Sequence, residues 1–411
     1  MKKTIYLLAI ASLAIACGRN SDLILKEEPN DAAEFLATES VLAGLPPLEA
    51  NYQRKIPDYL RALGMESPQT DNLKAGLGRV LFYDKNLSKD RTISCASCHK
   101  QEKAFSDDVA FSTGIEDRQT ARNSMPLANT ASFSAHHSTI NGAIPLLLWD
   151  ERATSVAEQS RLAFANPDEM GLSMPEVVAR VKEQPYYPYL WKQVFGNFDV
   201  TENQVLECLS EFVGAIGSHN SKLDFALVQV SGNIEFSQID ADTLITIAYY
   251  NPSDTTTTIT VTISGLPGFN ESENRGRDIF VANCSKCHSP IRPFQEVFAA
   301  CNGLDESYTD QGLGALTGNP ADNGVFKSPS LRNIALTGPY MHDGRFKNLR
   351  QVIDFYSDGV KNHPNLHPLM LRGNDPNLHL NAQQKQDLLA FLHTLTDLEI
   401  CTDSNFSNPF R

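Results

Sequence analysis

Basic residues are scarce in this sequence: 35 lysines and arginines stand against 49 aspartates and glutamates in 411 residues, a net charge of −14. Sequence-independent binding to nucleic acid depends on clustered Lys and Arg, so this balance argues against a nucleic-acid partner. An acidic surface suits a basic electron-donor protein, although most acidic surfaces only keep a protein soluble. The chain also lacks any long low-complexity tract, as is typical of globular proteins, and its length predicts two or three domains of roughly 150 residues each.

The apolar run near the start, residues 5–15, is too short to span a bilayer, which takes about 20 residues. Two lysines before this run and small residues before Cys17 predict a signal peptide at residues 1–17. The setting of Cys17 resembles the lipobox of bacterial lipoproteins. We therefore expect an exported, periplasmic protein whose membrane contact is a lipid on Cys17. Plain secretion is the alternative, because Leu13 lies one place too early for that motif.

The eight cysteines include two CxxCH motifs, at residues 95–99 and 284–288. Two thiols three positions apart can reach the two vinyl groups of one haem, while the adjacent histidine turns its imidazole to the iron. A zinc site would need a second cysteine pair close to each motif, and the sequence has none. Two covalent haem c groups are therefore predicted. Cys95 and Cys98 in the first motif and Cys284 and Cys287 in the second would attach the haems, and His99 and His288 would be the proximal ligands of the irons.

Three cysteines remain besides Cys17 and the four of the haem motifs. An oxidising compartment permits a disulfide among them. We expect Cys301 to pair with Cys401, because both lie in loop-like segments of the same half. Cys208 lies in a helical pattern and is expected to be a small buried apolar residue.

The haem motifs belong to a diverged internal repeat. Gly-Arg followed by an apolar pair precedes each motif, at residues 78–82 and 276–280, and predicts a helix leading into each CxxCH turn. Residues 174–182, after a serine N-cap, and residues 382–395 also have helical spacing. Residues 240–264 differ: they are rich in Thr, Ile and Val, and an Asn-Pro-Ser-Asp turn in the middle predicts a β-hairpin.

These patterns predict a mainly α fold with two cytochrome c-like haem domains and a small β-hairpin insertion between them. The expected organisation after the signal peptide is a tether and N-terminal extension at 18–69, an N-terminal haem domain at 70–222, a linker with the hairpin at 223–268, a C-terminal haem domain at 269–400 and a tail at 401–411.

Several further motifs occur in a fixed order around the two haem motifs. They are Leu-Phe-Tyr-Asp at 81–84, Arg-Asn at 122–123, Trp-Asp-Glu-Arg-Ala at 149–153, Pro-Asp-Glu-Met-Gly at 167–171, Ser-Leu-Arg-Asn at 330–333 and Pro-Tyr-Met-His-Asp-Gly at 339–344. In this order they resemble the bacterial dihaem cytochrome c peroxidases and their relatives, the methylamine-utilisation (MauG-type) enzymes. The likeness covers about residues 70–222 and 269–400.

The resemblance implies that the N-terminal haem is peroxidatic, with Glu169 as the distal acid–base and Gln159 as a distal amide. Cleavage of the O–O bond needs a group that moves a proton, which a carboxyl in a restricted pocket can do. Trp149 matches a tryptophan that lies between the haems and relays electrons. Without the resemblance, Glu169 would be interpreted as a solvated loop acid, Gln159 as an exposed helix residue and Trp149 as a core residue.

The resemblance also implies an interdomain calcium site made by Asn123 and the backbone carbonyls of Thr337 and Pro339. Calcium prefers oxygen ligands of this kind. The alternative interpretation of Asn123 is an amide that caps a turn.

The sixth ligand of the C-terminal haem is assigned by the same resemblance. The position fourteen residues after His342 is Met in the peroxidases and Tyr in the MauG type, and here it is Tyr356. Met341 is the rival ligand, and an aromatic on an apolar helix face is the other interpretation of Tyr356. His342 itself is expected to lie beside this haem without binding its iron.

One departure from the family bears on mechanism. Peroxidases that need reductive activation carry a distal histidine seven residues before the Arg-Asn pair, and here that position is Ile115. The blocking ligand is therefore absent from its usual place. His136 and His137 could substitute for it, although solvent exposure is the expectation for both.

Three functions follow from these residues. The first is reduction of hydrogen peroxide with electrons that a small cytochrome c or cupredoxin delivers through the C-terminal haem. The second is a MauG-type oxidation of residues on a partner protein. The third is a non-catalytic electron carrier, against which Glu169 and an open distal face argue.

Overall fold

The computed structural model describes residues 45, 48, 50–53, 56–62, 69–130, 147–231, 265–288 and 297–410. Over these residues the chain is mainly helical, as predicted, with one two-stranded antiparallel sheet. None of the described helices is long and apolar enough to cross a membrane. The predicted β-hairpin at 240–264, the signal peptide with Cys17, and His136 and His137 lie outside the described residues.

The helices are α1 Asp58–Ala62, α2 Asn72–Tyr83, α3 Cys95–Cys98, α4 Val156–Ala165, α5 Met174–Glu183, α6 Tyr187–Phe195, α7 Glu202–Ala215, α8 Lys222–Ser231, α9 Glu271–Asn283, α10 Gly314–Thr317, α11 Leu349–Asp358 and α12 Ala382–His393. Short 3-10 turns lie at Lys85–Leu87, Gln101–Lys103, Ile115–Asp117, Pro320–Asp322, Pro368–Met370 and Ser404–Phe406. The strands are β1 Ala299–Ala300 and β2 Phe326–Lys327, in the register Ala299 to Lys327 and Ala300 to Phe326.

Side-chain caps set the beginnings of several helices. Asp71 accepts hydrogen bonds from the backbone N–H groups of Leu73 and Lys74 and so begins α2. Ser173 and Glu176 form a reciprocal capping box at the start of α5, which confirms the predicted serine N-cap. Asn381 begins α12 in the same way. These contacts satisfy N–H groups that have no partner within a helix.

The predicted internal repeat is confirmed by how the lead-in helices pack. A Cβ on Gly78 of α2 would overlap the carbonyl oxygen of Cys208 on α7, so the glycine lets these two helices approach closely. A Cβ on Gly276 of α9 would likewise overlap the carbonyl oxygen of Asp387 on α12. One turn further on, each pair places two phenylalanines in contact. The ring centroids are 5.2 Å apart for Phe82 and Phe212 and 5.1 Å apart for Phe280 and Phe391.

The two ends of the described chain each pack on the distant half. Phe406 of the predicted tail is buried in the core built on α2 and α7. Arg79 holds this tail through a 2.6 Å hydrogen bond from Nε to the Ser407 carbonyl. Conversely, Tyr59 and Leu60 of the N-terminal extension are buried in the core built on α9 and α12. Both predicted end segments therefore contribute to a core, and the halves are interlocked.

The prediction of a disulfide between Cys301 and Cys401 is wrong. The seven described cysteines are all free of disulfides. The turn after Ile400 carries Cys401 onto the core of the N-terminal half. Cys301 stays in the C-terminal half, where its Sγ lies 3.5 Å from Nδ1 of His363. Cys208 is fully buried on α7, which confirms its predicted role as a small core residue.

Candidate active site

A cavity lies beside each CxxCH motif. The first has a volume of about 500 Å³, and Cys98 and His99 form part of its wall. The second has a volume of about 200 Å³ and is lined by Cys284, Cys287 and His288. Each motif therefore presents its ligands to a cavity of its own.

Both histidines are oriented by a backbone carbonyl. Nδ1 of His99 lies 3.0 Å from the Phe105 carbonyl oxygen, and Nδ1 of His288 lies 2.9 Å from that of Pro329. Because a carbonyl oxygen only accepts, each Nδ1 carries the proton, and Nε2 is left with a lone pair that could bind a haem iron. Paired thiols and an oriented imidazole at each cavity fit a covalently attached haem c.

Glu169 and Gln159 lie together in the wall of the first cavity. Gln159 is on α4, and Glu169 is in the turn that follows this helix. Asn166, at the C-cap of α4, donates a 2.7 Å hydrogen bond from Nδ2 to Oε1 of Glu169. Burial raises the pKa of Glu169, and the Asn166 hydrogen bond and the charge of Arg152 only partly oppose it. Glu169 therefore holds a proton at higher pH than a solvent-exposed glutamate does.

Ile115, at the place of the family's switching histidine, supports the Glu169 turn. Its backbone N–H donates to the Glu169 carbonyl oxygen at 3.1 Å. The Ile115 side chain is buried and packs on Gly171, where any Cβ would overlap it. Ile115 is not part of the cavity wall, and His99 is the only histidine among the described residues that line this cavity.

Arg122 joins the first cavity to the C-terminal half. Its guanidinium makes a 2.5 Å ion pair with Asp150 and two 2.7 Å bonds with the carboxylate of Asp310. Arg152 also pairs with Asp150, at 2.8 Å. Sequence reasoning identified Arg122 as a motif residue without a role, and it missed Asp310, which lies in a loop and belongs to no motif.

Trp149 lies between the cavities, as the resemblance implied. Its indole Nε1 donates to the Asn123 carbonyl oxygen at 2.8 Å, and its own carbonyl accepts from the backbone N–H of Lys327 at 2.8 Å. The residues that line both cavities are Asn123, Pro126, Trp149, Lys327, Pro329 and Ser330. Sequence reasoning missed Lys327, although it lies just before the Ser-Leu-Arg-Asn motif.

The residues of the expected calcium site all line the second cavity: Asn123, Thr337 and Pro339. The Asn123 amide donates from Nδ2 to the Val109 carbonyl oxygen at 3.1 Å. This bond fixes the orientation of the amide. Among the described residues, no group of three or more His, Cys, Asp or Glu side chains is placed to hold a metal ion. A site here would therefore consist of amide and carbonyl oxygens.

Tyr356 and Met341 both line the second cavity, on the side of Asn302. Nδ2 of Asn302 lies 3.2 Å from the Tyr356 hydroxyl oxygen and 3.8 Å from the Met341 sulfur. Burial raises the pKa of Tyr356 to about 12. His342 also lines this cavity, and its ring stacks on Phe326 with centroids 3.8 Å apart. Sequence reasoning gave no indication of Asn302.

Comparisons with known proteins agree with this geometry. The family model described as di-haem cytochrome c peroxidase matches residues 72–231. MauG from Paracoccus denitrificans is 30% identical over 377 residues, covering 80% of this chain and 89% of that protein. Cytochrome c551 peroxidase from Nitrosomonas europaea is 26% identical over 355 residues, covering 82% of this chain and 85% of that protein.

A solved structure extends the likeness to the fold. The crystal structure of a MauG-like protein associated with microbial copper homeostasis has a TM-score of 0.65 and 28% identity, covering 89% of this chain and all of that one. Two oriented histidines, two cavities and a tryptophan between them occur in a chain that is similar to these proteins over most of its length. The chain therefore belongs to the family of dihaem cytochrome c peroxidases and MauG proteins.

Proposed function

We propose that this protein reduces hydrogen peroxide to water in the first cavity, with electrons that a small redox protein delivers through the second. The observation that carries the proposal is that Glu169 and Gln159 line the same cavity as His99, the expected proximal ligand. A proton-transfer group and an amide beside a haem site suit peroxide, whose reduction consumes two electrons and two protons and yields two waters.

The haem supplies the iron chemistry that exchanges electrons with the substrate, and the protein handles the protons. Glu169 would take a proton from one oxygen atom of the peroxide and return it to the other, which leaves as water. Its raised pKa brings the carboxyl closer to the working pH, where it can both accept and donate. The Gln159 amide offers a donor and an acceptor that orient the substrate.

Among the described residues, none blocks the first cavity against substrate, so we expect no prior switch. Ile115 is buried against Gly171 and replaces the histidine that would block the iron, and no described residue of the wall other than His99 is a histidine. The protein therefore reacts with peroxide in its fully oxidised state.

Trp149 relays electrons between the two sites. It lies in the wall of both cavities, and hydrogen bonds at its indole and its backbone carbonyl hold it in place. An aromatic side chain fixed between two redox centres shortens each electron-transfer step.

A second candidate function is oxidation of residues on a partner protein. It is supported by Tyr356 in the wall of the second cavity and by the similarity to MauG. A phenolate ligand would stabilise ferric iron and so allow this haem to share a highly oxidised state.

Steady-state peroxide consumption with a reduced small cytochrome c or cupredoxin tests the first proposal. We expect catalytic oxidation of the donor, with two donor molecules oxidised for each peroxide, and no lag before turnover. The absence of donor oxidation, together with formation of a long-lived oxidised species on adding peroxide, would favour the second candidate.

We also propose a cellular location, a lipid anchor and a calcium site, which follow from the sequence and from the resemblance to the family. The protein is exported to the periplasm and attached to a membrane through lipid on Cys17, which lies outside the described residues. Asn123, Thr337 and Pro339 bind one calcium ion between the halves. Mass spectrometry of the intact purified protein tests the lipid, and metal analysis after chelation tests the calcium.

A further inference from the structure

Lys327 has no role in the proposed function, yet it lies between the two cavities. It is the last residue of β2 and lines both cavities. Its backbone N–H donates to Trp149, so its position is tied to the tryptophan between the haem sites. Among the described residues, no carboxylate lies within ion-pair distance of its ammonium group. Burial lowers the pKa of Lys327, and the negative charge of Glu151 opposes this shift.

The other cations of the first cavity already have partners. Arg122 is held by Asp150 and Asp310, and Arg152 shares Asp150. A further cation in that wall, Arg332, pairs with Asp224 at 2.8 Å. Lys327 therefore differs from its basic neighbours: it is partly buried and makes no ion pair with a described carboxylate, although the charge of Glu151 acts on it from beyond ion-pair distance. Such a charge costs several kcal/mol of desolvation, in order of magnitude, unless an anion lies beside it.

The second cavity has a surplus of positive charge. Lys327 and Arg372 are the basic residues of its described wall, and none of the described residues there is acidic. Haem c is attached through its vinyl groups, so the two propionates project from the opposite edge of the porphyrin. Arg372 acts on the Cys284 thiol electrostatically and bonds to Asn283, which places it at the thioether edge. Lys327 is then the described basic residue of this wall that is left to pair with a propionate.

We infer that Lys327 is the counter-ion of a propionate of the C-terminal haem and anchors that edge of the haem beside Trp149. The ammonium then has a propionate as its partner, in addition to the more distant charge of Glu151, and this pairing offsets the cost of desolvating the lysine. Neutralising a propionate removes negative charge near the iron and favours the reduced haem. Lys327 thereby keeps the C-terminal haem reducible by the donor. This role holds whichever of the two candidate activities the protein has.

The test uses the haem-loaded protein with Lys327→Met, which removes the charge and keeps a long apolar side chain. Spectroelectrochemical titration should show that the C-terminal haem becomes harder to reduce, by about tenfold in its one-electron equilibrium, which corresponds to about 59 mV. Lys327→Arg should keep the potential close to that of the unchanged protein. Lys222→Met is the matched control, because Lys222 is a half-exposed residue paired with Glu273 on the surface.

A second measurement distinguishes charge pairing from a merely structural effect. In redox-induced infrared difference spectra of protein labelled with ¹³C at the haem propionates, the carboxylate band should shift in Lys327→Met and stay in place in Lys327→Arg. A shift in the potential of the N-terminal haem alone would overturn the assignment to the C-terminal haem. Unchanged potentials and an unchanged propionate band would overturn the inference entirely.

Discussion

The two haem halves share their framework and differ in the wall opposite the proximal histidine. In each half a glycine brings the lead-in helix onto a partner helix, and a backbone carbonyl orients the proximal histidine. The first cavity then presents a carboxyl with a raised pKa and an amide. The described wall of the second presents Tyr356 and Met341 and no acidic side chain. One repeated scaffold thus provides two different cavities, because the residues that it repeats are not those that form the rest of each cavity wall.

The halves are also held together by a buried ion pair, of which one partner, Arg332, lines the first cavity. Asp224 of α8 pairs with Arg332, and Tyr59 of α1 hydrogen-bonds to both. Arg332 additionally donates to the Ser218 carbonyl oxygen at 3.2 Å. The contact therefore joins the N-terminal extension, the end of the N-terminal half and the C-terminal half.

The largest effect is expected from Asp224→Asn, which would remove the ion pair between Asp224 and Arg332 that connects the halves. It leaves the Arg332 charge buried without its partner, and we expect unfolding free energy to fall by about 3–5 kcal/mol. Denaturant unfolding of the haem-loaded protein measures this loss. Asp354→Asn is the control, because its exposed carboxylate pairs with Lys385 at the surface and contributes at most about 1 kcal/mol.

The ion pair between Asp224 and Arg332 also predicts that the free energy of unfolding depends on pH. Burial alone would raise the pKa of Asp224, but the Arg332 charge, with hydrogen bonds from Arg332, Ser221 and Tyr59, lowers it to about 2. An unfolded aspartate titrates near pKa ~3.9. The contribution of Asp224 to stability is therefore complete above about pH 4 and is lost as the pH falls towards 2. If Asp224→Asn loses as much stability between about pH 4 and about pH 2 as the unchanged protein, the contact between the halves does not depend on the Asp224 charge.

The next largest effect is expected on peroxide turnover, which we assign to the first cavity. Glu169→Gln should lower peroxide turnover by roughly 10²-fold with both haems still attached, because the amide cannot transfer the proton. Steady-state kinetics and haem spectra measure the two properties. Glu183→Gln, at a half-exposed position paired with Arg91, serves as the control. Unchanged turnover in Glu169→Gln would exclude this residue as the distal acid–base and remove the main contrast between the cavities.

The shared framework is tested by Gly78→Ala and Gly276→Ala, made separately. Each added methyl group would force a backbone carbonyl of the partner helix to move, so we expect each change to destabilise the protein by about 1–3 kcal/mol. Thermal or denaturant unfolding compares the two variants directly. A cost in only one half would show that the repeat is not equivalent in its packing.

A spectroscopic contrast should distinguish the two irons without any mutation. With Ile115 away from the first cavity and Tyr356 in the wall of the second, the oxidised protein should contain one high-spin and one low-spin haem. Electron paramagnetic resonance measures this directly. Two low-spin signals, together with a lag in turnover that pre-reduction abolishes, would mean that another residue blocks the first iron.

The smallest effect is a change of potential at the second iron. If Tyr356 is its sixth ligand, Tyr356→Met should raise the reduction potential of that haem, because a phenolate stabilises ferric iron and a thioether does not. Potentiometric titration measures the shift. A changed low-spin spectrum in Met341→Ala, with none in Tyr356→Phe, would instead assign the ligand to Met341.

The sequence was a poor guide to contacts between distant segments. The predicted pairing of Cys301 with Cys401 fails because the chain after Ile400 returns to the other half. Nothing in the sequence placed Asp310 on Arg122, since the two lie 188 residues apart and Asp310 is in a loop without a motif. The domain boundaries predicted along the chain likewise gave no sign of two long-range contacts. Tyr59, near the start, packs in the core of the C-terminal half, and Phe406, near the end, packs in the core of the N-terminal half.

The sequence by itself predicted the two haem attachment motifs, the helices that lead into them and the serine N-cap that begins α5. These depend on residues a few positions apart, whose spacing fixes their geometry in a turn or a helix. Motif order added Glu169, Gln159 and Trp149, which the structure places on the cavities. The tertiary structure alone decided what each cavity wall contains, how the halves interlock and where Lys327 lies, because these contacts depend on how all the elements pack against each other.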